Sequence, residues 1–209
     1  MITINSISQL RDHLQGLKAV VFDLDDTLYS EKEYVYSGYQ AIACALPEVN
    51  GMAEKLWEAF LRKKLPIDEV LVAEGIYTET LKQKCLSVYR FHQPNIHLYV
   101  GARELLQKLR TEGYLLGIIT DGRPEGQRAK LKALGLFDLV DHIIITDELG
   151  GPAFRKPNEA AFVTMRQMLN VPFGKIAYIA DNIKKDFIAP QKLGMLSIHF
   201  KNENGLYTE

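Results

Sequence analysis

Asp23, Asp25 and Asp26 stand close together in KAVVFDLDDT, residues 18–27, and Thr27 follows at once. Two unit charges 4 Å apart repel by about 4 kcal/mol at an effective dielectric of about 20. Crowding of that kind costs stability, so acids at this spacing point to a bound cation or to proton transfer. A calcium loop of the form D-x-[DN]-x-[DN]-G would need Gly at position 28 and a chelating acid at 34, where this chain has Leu28 and Tyr34. Further on, Thr120 with Asp121, Lys156 in RKP, and Asp181 with Asp186 add a hydroxyl, an ammonium and more carboxylates. Together these groups suit a phosphoryl group held with a divalent cation.

The elements that must position them follow from apolar periodicity. Ala19 to Phe22 is a short buried strand delivering Asp23 where the backbone leaves the sheet. Segments 114–120, 142–146, 175–180 and 195–200 read as further strands, separated by helices over 123–134, 158–169 and 183–194, the last disturbed near Pro190. Another helix around Leu105, Leu106 and Leu109 ends at Gly113, and Ser6 with Gln9 forms a capping box opening a helix over 6–16. The fold class is therefore α/β, a Rossmann-like parallel sheet of five strands with helices on both faces, and ligands bind beyond the carboxyl ends of such strands. Residues 31–98 break this alternation. Val35, Tyr39, Ile42 and Leu46, then Met52, Leu56, Trp57 and Phe60, then Leu81, Cys85, Val88 and Tyr89 mark successive helices. The expected division is a core of 1–30 with 99–209 and an inserted helical domain of 31–98. The polar tail from Lys201 to Glu209 is expected to be loose.

Composition excludes several partners. With 209 residues, 47% of them hydrophobic, the chain is long enough for one substantial core and a smaller unit. Lys plus Arg is 25 against 26 Asp plus Glu, which argues against nucleic-acid or membrane-surface partners. Cys44 and Cys85 fall in different predicted helices without C-x-x-C or histidine company, and the five histidines show no metal-ligand spacing. Two reduced thiols, no 18-residue apolar run and no signal-peptide layout lead to the expectation of a cytoplasmic protein.

FDLDDTL, IITDG, RKP and ADNIKKD, in this order, resemble the four motifs of the haloacid dehalogenase superfamily of phosphatases and phosphotransferases. The resemblance covers nearly the whole chain, because that family also inserts a helical cap after its first motif. It implies that Asp23 is the nucleophile, forming an aspartyl-phosphate, and that Asp25 is the acid and base, protonated when substrate arrives. It implies a Mg²⁺ site of Asp23, Asp181, Asp186 and the backbone carbonyl of Asp25, with a phosphate site of Thr120, Asp121 and Lys156. Two positions depart from the usual pattern: Asp121 replaces an Asn, adding negative charge near the phosphate unless it pairs with Arg123, and Ala180 replaces a Gly.

The expected activity is Mg²⁺-dependent hydrolysis of a small phosphorylated metabolite, such as a sugar phosphate, nucleotide or phosphoglycolate, by a monomer or homodimer. The alternatives are a phosphomutase or phosphotransferase, a 2-haloacid dehalogenase, for which Asp25 and the metal acids would be superfluous, and an inactive phosphate-binding homologue. Asp26 and Thr27 are read as equally suited to the site and to the turn. Asp147, Glu148 and Arg155 are read as a solvated loop, and the tyrosines Tyr34, Tyr36 and Tyr39, with Trp57, as the helical insert's own core.

Overall fold

A computed structural model of the chain describes residues 1–206. Contacts divide it into two compact units, Met1–Glu31 with His97–Glu209, and Lys32–Ile96.

The first unit is built on one parallel sheet. Its strands are β1 (Ile2–Ile4), β2 (Ala19–Phe22), β3 (Leu115–Thr120), β4 (His142–Ile145), β5 (Ile176–Ala180) and β6 (Leu196–Phe200), in the order β1-β6-β5-β2-β3-β4. The sheet thus has six strands rather than five. The extra one, β1, pairs Ile2 with Ile198 and Ile4 with Phe200 at the edge. Three residues are too few for alternation to show, and the strand exists through that pairing. Every residue of β2 is fully buried between β3 and β5, which is why its sequence is a continuous apolar run.

From β2 the chain proceeds to β3 and β4 on one side, then returns to β5 and β6 on the other. The order reverses between β2 and β5, and a crevice opens at such a point beyond the strand ends. On one face Val21, Ile119 and Tyr178 join Phe162, Met165 and Leu169 of a helix over Ala160–Leu169 in a single core cluster. Gly117 makes that approach possible, since a Cβ there would sit 2.7 Å from Met165 Sδ. The fifth α-helix in chain order, α5 (Ala102–Thr111), packs on β3 and on the N-terminal segment.

Two expected helices are shorter than the spacing suggests. Ser6 and Gln9 do form the capping box, but it opens a 3₁₀ helix, Ile7–His13. The stretch before Pro190 is a turn, held by Asp186 N donating to Asn182 O at 3.0 Å and Asn182 N donating to Asp186 Oδ2 at 3.3 Å, and the helix runs only over Ile188–Leu193. Proline is tolerated in a first helical turn, whereas a helix begun at 183 would place its ring against a preceding carbonyl.

The tail differs too. Lys201 N donates to Ile4 O at 2.9 Å, Asn202 Nδ2 to Asp26 O at 2.9 Å and Leu206 N to Asp26 Oδ2 at 2.7 Å. Residues 201–206 are therefore tied to the loop after β2, while the expectation for 207–209 lies outside the described residues.

The second unit is helical, with α1 (Glu31–Ala45, beginning one residue before the boundary), α2 (Met52–Leu61), α3 (Pro66–Ala73) and α4 (Glu79–Phe91). Its aromatic residues meet one another: Tyr36 and Trp57 lie edge to face at 5.5 Å, Tyr34 and Tyr89 at 6.0 Å, and Tyr39 lies 6.3 Å from Phe60. Tyr39 is buried in this unit's core, and Tyr34, Tyr36, Trp57 and Phe60 pack half-buried around it.

Candidate active site

Three loops leaving β2, β3 and β5, with the segment after β4, bring the predicted groups together at the switch point. The ladder of β2 continues one residue past the strand, because Asp23 N donates to Ile179 O at 2.8 Å. This fixes the Asp23 carboxylate over the sheet edge. There it pairs with Lys156 Nζ, which also lies 2.9 Å from Asp186 Oδ1 and donates to Tyr178 OH at 3.1 Å. Asp23, Lys156 and Asp186 are all buried. Burial would lower the lysine's pKa, but Asp186 and Asp23 hold it well above its ordinary value.

The acids around this lysine do not all find partners. Oxygens of Asp23, Asp181 and Asp186 lie within 4.8 Å of one another. Burial, Asp186 and Asp25 push the Asp23 carboxyl up to about 7 against the pull of Lys156. Burial and Asp23 push Asp181 up to about 8. Asp186 Oδ1, though ion-paired with Lys156, accepts no well-formed hydrogen bond. A cluster of hard oxygen donors, with protons favoured on two of them and a buried oxygen unsatisfied, fits Mg²⁺. The Asp25 carboxylate stands outside this cluster.

Asp25 occupies a different environment from the expected one. Its Oδ1 accepts from Lys130 Nζ at 2.7 Å and from Tyr29 OH, and its Oδ2 from Gln127 Nε2 at 2.9 Å. Burial works to raise its pKa, but Lys130, Tyr29 and Gln127 outweigh it and hold the carboxyl below the usual range. The arrangement favours the ionised form, not the expected protonated one. The reason is α6 (Pro124–Ala133), the helix after β3, whose Gln127 and Lys130 are both buried beside Asp25.

The remaining predicted residues sort into lining and support. Thr120 is fully buried, and its hydroxyl accepts from Gln127 Nε2. Asp121 lines the cavity, but its carboxylate is committed: Oδ1 accepts from Thr146 Oγ1 and from Lys156 N, each at 3.0 Å, and Oδ2 from Lys185 Nζ at 2.9 Å. Its partner is therefore Lys185, not Arg123. Burial opposes, but Lys156 and Lys185 keep this carboxyl below its ordinary value. Arg155 keeps the exposure expected of a loop residue, with 40% of its side chain exposed, but Nε and Nη2 each donate to Asp147 at 2.7 Å. Thr27 Oγ1 lies 3.4 Å from Asp23 Oδ2. Asp26, buried and left-handed at φ 54°, caps α1 by accepting from Glu31 N at 2.9 Å. Ala180 is buried as the last residue of β5.

These groups surround a cavity of about 290 Å³ lined by Asp23, Asp25, Glu31, Lys156, Asp181 and Lys185 among others. Residues 17–194 match the sequence family described as haloacid dehalogenase-like hydrolase. The chain belongs to the haloacid dehalogenase-like hydrolases.

Its relatives in this hydrolase family include named phosphatases. The glyceraldehyde 3-phosphate phosphatase of Methanopyrus kandleri is 26% identical over 201 residues, covering 88% of this chain and 84% of its own. That of Pyrococcus abyssi is 36% identical over 101 residues, 48% of this chain, and the match spans only 41% of the Pyrococcus protein's length. The phosphoglycolate phosphatase of Cereibacter sphaeroides strain ATCC 17029 is 29% identical over 176 residues, 79% of this chain and 77% of its own. A solved hydrolase of the superfamily from Geobacter sulfurreducens shares the fold, with a TM-score of 0.66 at 16% identity over 90% of this chain and 88% of its own.

Sequence reasoning missed Tyr29, Gln127, Lys130, Tyr178 and Glu31. Gln127 and Lys130 are three apart on one face of α6, a spacing the helix pattern showed without saying that the face meets Asp25. Lys185 stood inside the quoted ADNIKKD stretch, beside the acids that drew notice.

Proposed function

We propose that this hydrolase is a Mg²⁺-dependent phosphatase of a small phosphomonoester, with Asp23 as nucleophile. The buried Lys156, held between Asp23 and Asp186 at the sheet's switch point, carries the reading. A dianionic phosphate approaching Asp23 needs positive charge already in place, and an ammonium fixed by two carboxylates supplies part of it without reorganising. Asp23, Asp181 and Asp186, with the Asp25 backbone carbonyl, would hold Mg²⁺, which when bound adds further positive charge against the phosphoryl oxygens.

An Asp23 oxygen attacks phosphorus, forming an acyl phosphate as the bond to the leaving oxygen breaks. Asp25 gives the leaving oxygen its proton, and for this it must first take one up in place of its bond to Lys130. The carboxylate thus formed then removes a proton from the water that attacks phosphorus and frees Asp23. The surroundings of Asp25 suit this second role directly. The backbone after Thr120 and the side chain of Lys185 border the phosphoryl position.

The test is phosphate release from p-nitrophenyl phosphate and a panel of glycerol phosphates, phosphoglycolate and nucleotides, with Mg²⁺ and with EDTA. Release is expected to need the metal and to vanish in Asp23→Asn. Release that persists in that variant would overturn the assignment of the nucleophile.

A further inference from the structure

Glu31 has no place in the chemistry above, yet its side chain faces the same cavity as Asp23 and Asp25. It is the first residue of α1, a position where an acid usually stabilises the helix end from solvent. That work is already done here, because Asp26 caps the helix through the Glu31 backbone N–H. The Glu31 residue is only partly exposed, and its Oε2 is buried with no hydrogen-bond partner. Buried polar atoms in folded proteins nearly always have partners, and an exception beside a reaction centre asks for a ligand.

We infer that Glu31 reads the leaving group: its carboxylate takes a hydrogen bond from a hydroxyl or ammonium on the group esterified to phosphate, and it turns away leaving groups that end in a carboxylate. The inference rests on the phosphatase reading above. Burial, then Asp25, push the Glu31 carboxyl up to about 8 against the pull of Lys130, so a donor reaching Oε2 relieves a real cost. The opposite preference finds little support in the cavity. Arg155, which lines it and would suit a carboxylate, already gives its fork to Asp147. Among the relatives' namesake compounds, glyceraldehyde 3-phosphate carries a hydroxyl beside its aldehyde and phosphoglycolate carries a carboxylate. Glu31 sorts between those two chemistries.

The experiment compares kcat/KM for glycerol 3-phosphate and phosphoglycolate, in the full chain with Mg²⁺, for the wild type and Glu31→Gln. The pH is kept about one unit above the value of about 8 to which burial raises the Glu31 carboxyl, so that the ionised form predominates. The wild type should prefer glycerol 3-phosphate, and Glu31→Gln, of equal volume, should lower that preference by about tenfold or more. Taking the ratio within one protein cancels any general fall in activity. An unchanged ratio overturns the inference. Turnover by the wild type of neither compound, nor of any other member of the panel above, would remove the phosphatase reading instead. Where neither compound is turned over, Glu31 is judged by calorimetric titration of the same two compounds: tighter binding of glycerol 3-phosphate, narrowed in Glu31→Gln, upholds it, and equal discrimination in both proteins overturns it.

Discussion

Replacing Lys156 with Met keeps most of the aliphatic stem and removes the charge on which three buried groups depend. Lys156 Nζ stands 2.9 Å from Asp186 Oδ1, an attraction of about 6 kcal/mol at an effective dielectric of about 20. Its bond to Asp23 adds a second. Without it, acids whose oxygens lie within 4.8 Å face one another, a repulsion of about 3 kcal/mol for one ionised pair. These sums overstate the net effect, since removing the lysine also removes its desolvation cost and one carboxyl takes a proton. Breaking a buried pair by deleting one partner costs about 3–5 kcal/mol, and that is the expected loss. The assay is urea unfolding followed by far-UV circular dichroism in EDTA, repeated with saturating Mg²⁺. Lys156→Met should unfold at a lower urea concentration in EDTA, Mg²⁺ should narrow the gap, and adding Asp186→Asn should recover part of the loss. Equal stability of Lys156→Met and the wild type in EDTA would refute the reasoning.

Lys130→Met removes the cation 2.7 Å from Asp25 and leaves Tyr29 and Gln127 in place. Steady-state kinetics should show kcat reduced by up to about 10²-fold with KM little changed, and a rise in KM alone would count against a role through Asp25. In the helical unit, Gly38→Ala would put a Cβ within 2.5 Å of Tyr89 Cε2. Thermal unfolding should register a loss of about 1–3 kcal/mol from overpacking, and a neutral result would mean that Tyr89 moves freely.

Much of this site was legible because the fold repeats one operation. Each strand ends where its apolar run ends, so Asp23, Asp121 and Asp181 could be placed at one sheet edge by reading the residue after each run. Convergence gave those residues meaning that no single motif carried. Legibility failed where one element's side face met another's end. Gln127 and Lys130 look like ordinary polar positions on a basic helix, and only the crossover geometry lays them against Asp25. Tyr178 is a β5 residue whose ring joins the core while its hydroxyl reaches Lys156, and sequence shows only the ring. The tail was misread for a related reason. Its polarity suggested solvent, but Asn202 and the Leu206 backbone spend that polarity on Asp26, a non-glycine residue held at positive φ.

The charges around the cavity bear on how the site must work. Six carboxylates line it, from Asp23, Asp25, Glu31, Asp121, Asp181 and Asp186, against three cations, Arg155, Lys156 and Lys185. Each of those cations already serves an acid: Arg155 serves Asp147, Lys185 serves Asp121, and Lys156 serves Asp23 and Asp186. An incoming phosphate dianion therefore meets a field that the protein alone leaves negative. Burial first, and the neighbouring acids after it, raise the carboxyls of Asp23 and Asp181. In the proposed mechanism, protons would relieve the negative field by neutralising Asp23, whereas a divalent cation would relieve it and leave Asp23 ionised. On that proposal Mg²⁺ would bind the cluster of Asp23, Asp181 and Asp186 before phosphate, and tight binding of phosphate in EDTA would argue against this order.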